Sequence, residues 1–299
     1  AVASKLMKRC CGWLSPHKRR RSDAPDAQRI YAAAGETRTL QEAAVQDQPV
    51  ATLDAPQALP AAPPPGSFHR RALPDVAVEF SSREGQQLFA EALADGTLGC
   101  FFRLIEQFHT QSEPAFCGLG TLTMVLNAMN VDPGKEWKGP WRWYHEAMLD
   151  CCEPLETVKA KGITWPSFVC LARCNGLFAE AHRVDEPGGD IATFRRLVNE
   201  VASQAVGCPA EEQVDDFKVL VVAYSRRQFL QTGDGHYSPI GGYHRGTDKV
   251  LVLDVARFKY PPHWVPLTEM YEAMRSIDKE TGRSRGFVKL ARKRALAGG

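Results

Sequence analysis

Gln111-Ser112-Glu113-Pro114-Ala115-Phe116-Cys117-Gly118-Leu119-Gly120 sets one cysteine at the start of an apolar run, with a glutamine six residues upstream. Leu119, Leu122, Leu126 and Met129 recur behind it at three- and four-residue steps. That spacing predicts a central helix with Cys117 at its mouth, ended by Asp132-Pro133-Gly134. The free N–H groups and dipole of a helix N-terminus favour an anion. A thiol placed there falls from a pKa of ~8.5 into the ~3.5–7.5 range and becomes a nucleophile. Gln111 is close enough in sequence to offer a side-chain N–H to an oxyanion. The stretch therefore reads as half of a cysteine acyl-transfer site, whose other half is a histidine and an orienting group much later in the chain.

Thr232-Gly233-Asp234-Gly235-His236-Tyr237 supplies the histidine, in a glycine-rich turn leading into an apolar segment. Lys249-Val250-Leu251-Val252-Leu253-Asp254-Val255-Ala256 reads as a buried strand carrying one carboxylate. A buried carboxylate needs a partner, and His236 is the natural one. Asp254 then fixes the tautomer of His236, and His236 takes the proton of Cys117. His244 is the rival base, but it follows Gly241-Gly242 at the far end of its strand and leads into a polar turn.

Further outward, Ser81-Ser82-Arg83-Glu84 has a helix N-cap pattern, followed by Leu88, Phe89, Ala92 and Leu93 at helical spacing. Phe101, Phe102, Leu104, Ile105 and Phe108 continue an apolar face, and helices are expected over Ser167 to Cys174 and Ile191 to Val201. Phe217 to Tyr224, Tyr237 to Tyr243 and Val250 to Val255 read as strands. Helices first and strands after, without βαβ alternation, indicate an α+β fold. A nucleophile on a helical subdomain, packed on an antiparallel sheet that carries His and Asp, is the papain-like layout.

The 299 residues hold 44% hydrophobic and 24% charged positions and a net charge of +2, which suit a globular fold and do not suggest a nucleic-acid binder. No run of 18 or more apolar residues is present, so no transmembrane segment is expected. Nine cysteines without a secretory apolar segment point to free thiols in a reducing compartment. Residues 1–66 are basic, then Pro/Ala-rich, and read as a disordered extension. The sharper alternatives are an organelle address, a nuclear signal at Lys18 to Arg21, or a lipid anchor at Cys10 and Cys11. The chain begins at Ala1, which is compatible with processing or with a fragment. Residues 67–290 form the expected catalytic domain, and 291–299 a short basic tail.

Four strings carry a family resemblance: Phe102 to Gly118 (FRLIEQFHTQSEPAFCG), Asp132 to Leu155 (DPGKEWKGPWRWYHEAMLDCCEPL), Gly235 to Tyr243 (GHYSPIGGY) and Leu253 to Pro266 (LDVARFKYPPHWVP). The run from about Phe80 to Leu290 resembles the catalytic domain of phytochelatin synthase, a glutathione γ-glutamylcysteinyltransferase of the papain-like superfamily. The resemblance implies transfer of γ-Glu-Cys from glutathione to glutathione or a growing phytochelatin, through an acyl group on Cys117, with glycine released. It implies no organic cofactor. It implies a heavy-metal ion (Cd, Zn or Cu) as activator or as the metal–glutathione thiolate substrate. Asp278 and Arg285 sit where the family holds the γ-glutamyl head group, and Arg257 is a second candidate there, with a surface ion pair as its competing reading. Glutathione and phytochelatin peptides are the implied partners, a homodimer is compatible with the resemblance, and the implied location is cytoplasmic, with organelle targeting through residues 1–66 as the alternative. Longer relatives carry a Cys-rich C-terminal region, whereas this sequence ends nine residues after Leu290. That bears on metal activation, not on acyl chemistry.

Two rival functions stand beside transfer: hydrolysis of glutathione or its conjugates on the same scaffold, and a thiol-rich metal-binding protein. Scattered cysteines without C-x-x-C pairs argue against the latter. Adjacent Cys151 and Cys152 invite a metal reading, but packing is favoured because neighbours chelate one ion only with strain. Cys170 and Cys174 share a helical face and make half a zinc site at best. Trp137, Trp141 and Trp143 read as a loop core pinned by rings.

Overall fold

The computed structural model describes residues 71–205 and 216–293. The expectations for residues 1–66 lie outside the described residues. The α+β class holds. Seven helices and a seven-stranded antiparallel sheet stand among the described residues, the sheet ordered β1-β6-β5-β4-β3-β9-β2. Its strands are β1 (Val78–Glu79), β2 (Leu177–Arg183), β3 (Lys218–Ser225), β4 (Gly235–His244), β5 (Lys249–Val252), β6 (His263–Pro266) and β9 (Gly286–Arg292). A small hairpin of β7 (Ile277–Asp278) and β8 (Arg283–Ser284) precedes β9.

The helices are α1 (Arg83–Ala94), α2 (Phe101–Glu106), α3 (Cys117–Ala128), α4 (Leu155–Lys161), α5 (Trp165–Cys174), α6 (Ile191–Ala202) and α7 (Leu267–Arg275). Their starts follow from capping chemistry. Ser82 accepts a hydrogen bond from the Gly85 N–H at 3.0 Å, Thr164 caps α5 with Pro166 in the first turn, and Asp190 accepts from the Thr193 N–H at 2.9 Å. Helix α3 is buried on every face from Gly118 to Ala128, as a helix apolar all round must be. At Gly118 an added Cβ would lie 2.3 Å from the Ile163 Cγ2, so the absence of a side chain lets the segment before α5 press against α3. The Thr121 hydroxyl donates to the Tyr237 carbonyl at 3.1 Å and ties α3 to β4.

Four expectations need correction. Strand β5 ends at Val252, and Asp254 sits in the loop beyond, because its carboxylate accepts the Ala256 N–H at 2.8 Å and turns the chain out of the ladder. Strands do not simply follow helices, since β2 runs between α5 and α6 and pairs along its length with β9. It escapes periodicity reading because Leu177-Phe178-Ala179-Glu180-Ala181-His182-Arg183 is short and mixed. The free-thiol expectation fails at one pair. The loop after Leu149 folds against α5 and brings the Cα of Cys152 within 6.3 Å of that of Cys170, where the two form a disulfide. Trp137, Trp141 and Trp143 are exposed and do not pin a core.

Strand β9 extends through Arg292, and its first residue, Gly286, faces the β2 backbone: an added Cβ would lie 2.0 Å from the His182 carbonyl oxygen. A backbone oxygen cannot step aside as a side chain can. Gly286→Ala is expected to destabilise the fold by about 1–3 kcal/mol, seen as a lower urea midpoint at unchanged m-value. An unchanged midpoint would contradict this packing.

Candidate active site

Four elements meet at one end of the sheet. Helix α3 brings Cys117 on its first residue, β4 brings His236 near its start, the loop after β5 brings Asp254, and the turn after β3 brings Arg226. The meeting follows from antiparallel pairing: Ser225 at the end of β3 pairs with Gly235 at the start of β4, and the Val252 end of β5 lies against Ile240.

The His236 Nε2 lies 2.7 Å from the Asp254 Oδ1. The Arg226 Nη2 donates to the other carboxylate oxygen at 2.6 Å, and the Ala256 N–H completes the shell. Asp254 is fully buried, with His236 and Arg226 nearly so. Burial alone pushes the Asp254 carboxyl up, but the charges of His236 and Arg226 outweigh it and hold it far below the usual carboxylate range. With Nε2 committed to Asp254, the other ring nitrogen of His236 is left for its hydrogen bond with Cys117. Burial and the Arg226 charge push the imidazole down, yet the charges of Asp254 and Cys117 and the Asp254 hydrogen bond raise it overall. Burial pushes the half-buried Cys117 thiol up, while the His236 charge and hydrogen bond, the Tyr237 backbone N–H and Arg226 bring it below an ordinary thiol. A lowered thiol beside a raised imidazole is the arrangement for nucleophilic attack by sulfur followed by proton return from nitrogen.

A cleft of about 370 Å³ opens over Cys117 and His236, within the size range of small-molecule sites. Asp278 and Arg285 both line it. Arg285 donates to the Ser276 carbonyl at 3.0 Å and to Asp234 at 3.2 Å, and Asp278 accepts the Thr281 hydroxyl at 2.8 Å. Arg257 is not among the lining residues, and its guanidinium lies 4.8 Å from the Phe108 ring centroid. Gln111 is buried beside the nucleophile loop, but its amide nitrogen donates to the carbonyls of Glu113 and Pro114 at 2.8 and 2.9 Å, and its Oε1 has no partner. His244 is engaged elsewhere, with Glu91 at 2.8 Å and the Thr247 hydroxyl at 2.9 Å.

Several lining or supporting residues carry no sequence signal of their own. Arg226 is one of two adjacent arginines in a turn, Arg183 ends the strand that periodicity missed, and Lys259 lies two residues past Arg257. Glu146 is buried and holds both the backbone and the hydroxyl of Ser112, which fixes the loop that leads into Cys117. Only its spatial context distinguishes it from other surface-type acids.

The model of a family described as phytochelatin synthase matches residues 68–287. The chain is 53% identical over 227 residues to glutathione gamma-glutamylcysteinyltransferase 1 of Arabidopsis thaliana, covering 76% of this chain and 44% of that protein. It is 51% identical over 222 residues to glutathione gamma-glutamylcysteinyltransferase 3 of Lotus japonicus, covering 74% and 44%. The match to the glutathione gamma-glutamylcysteinyltransferase of Schizosaccharomyces pombe is 46% over 224 residues, covering 75% and 51%. The chain thus spans about half the length of these relatives.

The lowered Cys117 thiol has a direct consequence. The thiolate exists above its pKa, so a lowered value carries alkylation to lower pH than an ordinary thiol near ~8.5 allows. Iodoacetamide labelling of the Cys117 peptide, followed by mass spectrometry across pH, should reach half-maximal rate at lower pH than an unperturbed thiol labelled beside it, and move alkaline in His236→Ala. Identical curves for the two proteins would contradict the pairing.

Proposed function

The chain belongs to the phytochelatin synthase family, and from that premise we propose that it transfers γ-Glu-Cys from glutathione to a second glutathione or to a phytochelatin, through an acyl group on Cys117. The observation that carries this reading is the Cys117–His236–Asp254 array at the floor of a cleft with charges of both signs. The papain-like description of the fold is part of the proposal, supported by a nucleophile on a helix facing a base on a sheet.

The Cys117 thiolate attacks the carbonyl carbon of the Cys–Gly amide of glutathione. His236, protonated, gives its proton to the nitrogen of the departing glycine, and a γ-Glu-Cys thioester stays on Cys117. The α-amine of the acceptor glutathione then attacks this thioester, His236 takes the proton, and the thiolate leaves. Asp254 keeps the His236 ring in position and stabilises its charged form. The backbone N–H of Cys117 points out of the helix N-terminus and serves the developing oxyanion. Gln111 is the proposed second donor, and it must give up one of its two carbonyl partners to act.

Glutathione carries two carboxylates and one ammonium. Arg285 matches a carboxylate with its planar fork and Asp278 matches the γ-glutamyl ammonium. Arg183 and Lys259 add positive charge to the cleft wall, which Arg257 does not line. The metal ion enters as part of the substrate: a soft cation bound by glutathione thiolates is the acceptor we favour. A reducing compartment, the cytoplasm, suits this substrate. Hydrolysis on the same scaffold is the second outcome, and the names of the relatives, all transferases, favour transfer.

Incubation of the purified chain with glutathione, with and without Cd²⁺, should yield (γ-Glu-Cys)n-Gly that increases with the metal and disappears in Cys117→Ala. Only γ-Glu-Cys and glycine in the mass spectrum would replace transfer by hydrolysis. S-alkylated glutathione should remain active without metal, and an absolute metal requirement with that blocked substrate would remove the thiolate-acceptor role.

A further inference from the structure

A second cavity, of about 330 Å³, lies against the loop that leads into Cys117 and shares no lining residue with the cleft. It is large enough for a small molecule. Two carboxylates, Glu106 and Glu146, line it, and no lysine or arginine does. Glu146 is buried, and its hydrogen bonds go to the backbone and hydroxyl of Ser112. Its basic neighbour among the described residues is His109, whose Nε2 lies 3.8 Å away. The His109 Nδ1 lies 3.2 Å from the Gln107 carbonyl, which can only accept. The neutral ring therefore carries its proton on Nδ1 and turns a lone pair, not a donor, toward Glu146. Asp254 shows the contrast: also buried, it has both Arg226 and His236. A buried carboxylate without a close counter-charge is costly, and the cavity is where one can enter.

The rest of the wall asks for the same kind of group. Of the five buried side-chain polar atoms without a partner among the described residues, three belong to residues that line this cavity: Gln107 Oε1, His109 Nε2 and Thr123 Oγ1. The first two accept hydrogen bonds, so their complement is a group that donates N–H. Trp137, Trp143 and Phe108 supply rings to the wall. The two tryptophans are exposed and serve no core, but the face of an indole attracts a cation. The Lys138 ammonium already lies 4.9 Å from the Trp137 ring centroid, although Lys138 does not line the cavity. A bare metal ion fits less well, because rings offer it no ligand and no group of three metal-ligating side chains lies here among the described residues.

We infer that this cavity is a binding site for a small organic ammonium. Glu146 supplies the counter-charge, Gln107 and His109 accept N–H groups, and Trp137 and Trp143 cover the cationic head and its carbon chain. The site is separate from the cleft, where arginines and lysines are set to meet carboxylates, and it does not rest on the transfer reading. Because Glu146 also holds Ser112, five residues before Cys117, the ligand would sit on the residue that fixes the nucleophile loop.

The probe is putrescine, a linear diamine, with butanediol of the same length as its uncharged counterpart, each titrated into the full chain by calorimetry. The diamine should bind saturably at one equivalent, and the diol should not bind. The Trp137→Ala/Trp143→Ala variant and Glu146→Gln should each weaken the diamine by about tenfold. Asp278→Asn, in the cleft, should leave the diamine affinity unchanged. The tryptophans are exposed, so their variant keeps the fold and still decides the matter if Glu146→Gln loosens the Ser112 loop. No saturable binding of the diamine, equal binding of the diol, unchanged affinity in the tryptophan variant, or a loss confined to Asp278→Asn each overturns the site.

Discussion

A fully buried carboxylate is the constraint on which this molecule depends. Asp254 has no access to water, and an ionised carboxylate in that position costs several kcal/mol unless its oxygens are occupied. Three donors occupy them: His236, Arg226 and the Ala256 N–H. Each comes from a different segment. The strand β4, the turn after β3 and the loop after β5 must therefore end at one place, and the antiparallel order of the sheet makes them do so. Arg226 is held in turn by Gln231, whose amide approaches the buried His263. The polar network below the cleft is thus continuous from the sheet interior to the imidazole above Cys117.

This arrangement divides the electrostatic tasks. Arg226 opposes protonation of His236 while it stabilises ionised Asp254 and the Cys117 thiolate. The imidazole is raised only because Asp254 and Cys117 together outweigh Arg226 and burial. A base held in this balance can accept and return a proton without large rearrangement, which suits the two proton transfers of the proposed reaction. Arg183, Arg285, Lys259 and Asp278 line the same cleft as Cys117 and His236, so the proposed recognition of a zwitterionic peptide and the proposed chemistry share one site.

The central pattern was legible because it is local or strongly patterned. Cys117 follows a turn and opens an apolar helix, and the apolar neighbours of Asp254 announce a buried charge that needs a basic partner. The α+β class was readable from the order of helical and strand patterns, and the family from long strings in order. What was not legible depends on contacts between distant segments. Arg226 looks like its neighbour Arg227 until the fold buries one and exposes the other. Strand β2 gains its identity only from β9, more than a hundred residues later. Asp254 read as a strand residue because hydropathy does not register the side-chain turn that ends β5. The vicinity of Cys152 to Cys170 is likewise set by a loop folding back on a helix, which spacing alone cannot express.

The most direct test of the account is acid quenching of the chain during reaction with glutathione, followed by mass spectrometry of the Cys117 peptide. The account predicts one γ-Glu-Cys group on Cys117, removed by hydroxylamine as a thioester is, and accumulating when the acceptor is scarce. Turnover that proceeds with Cys117 unmodified at every quench time would contradict it.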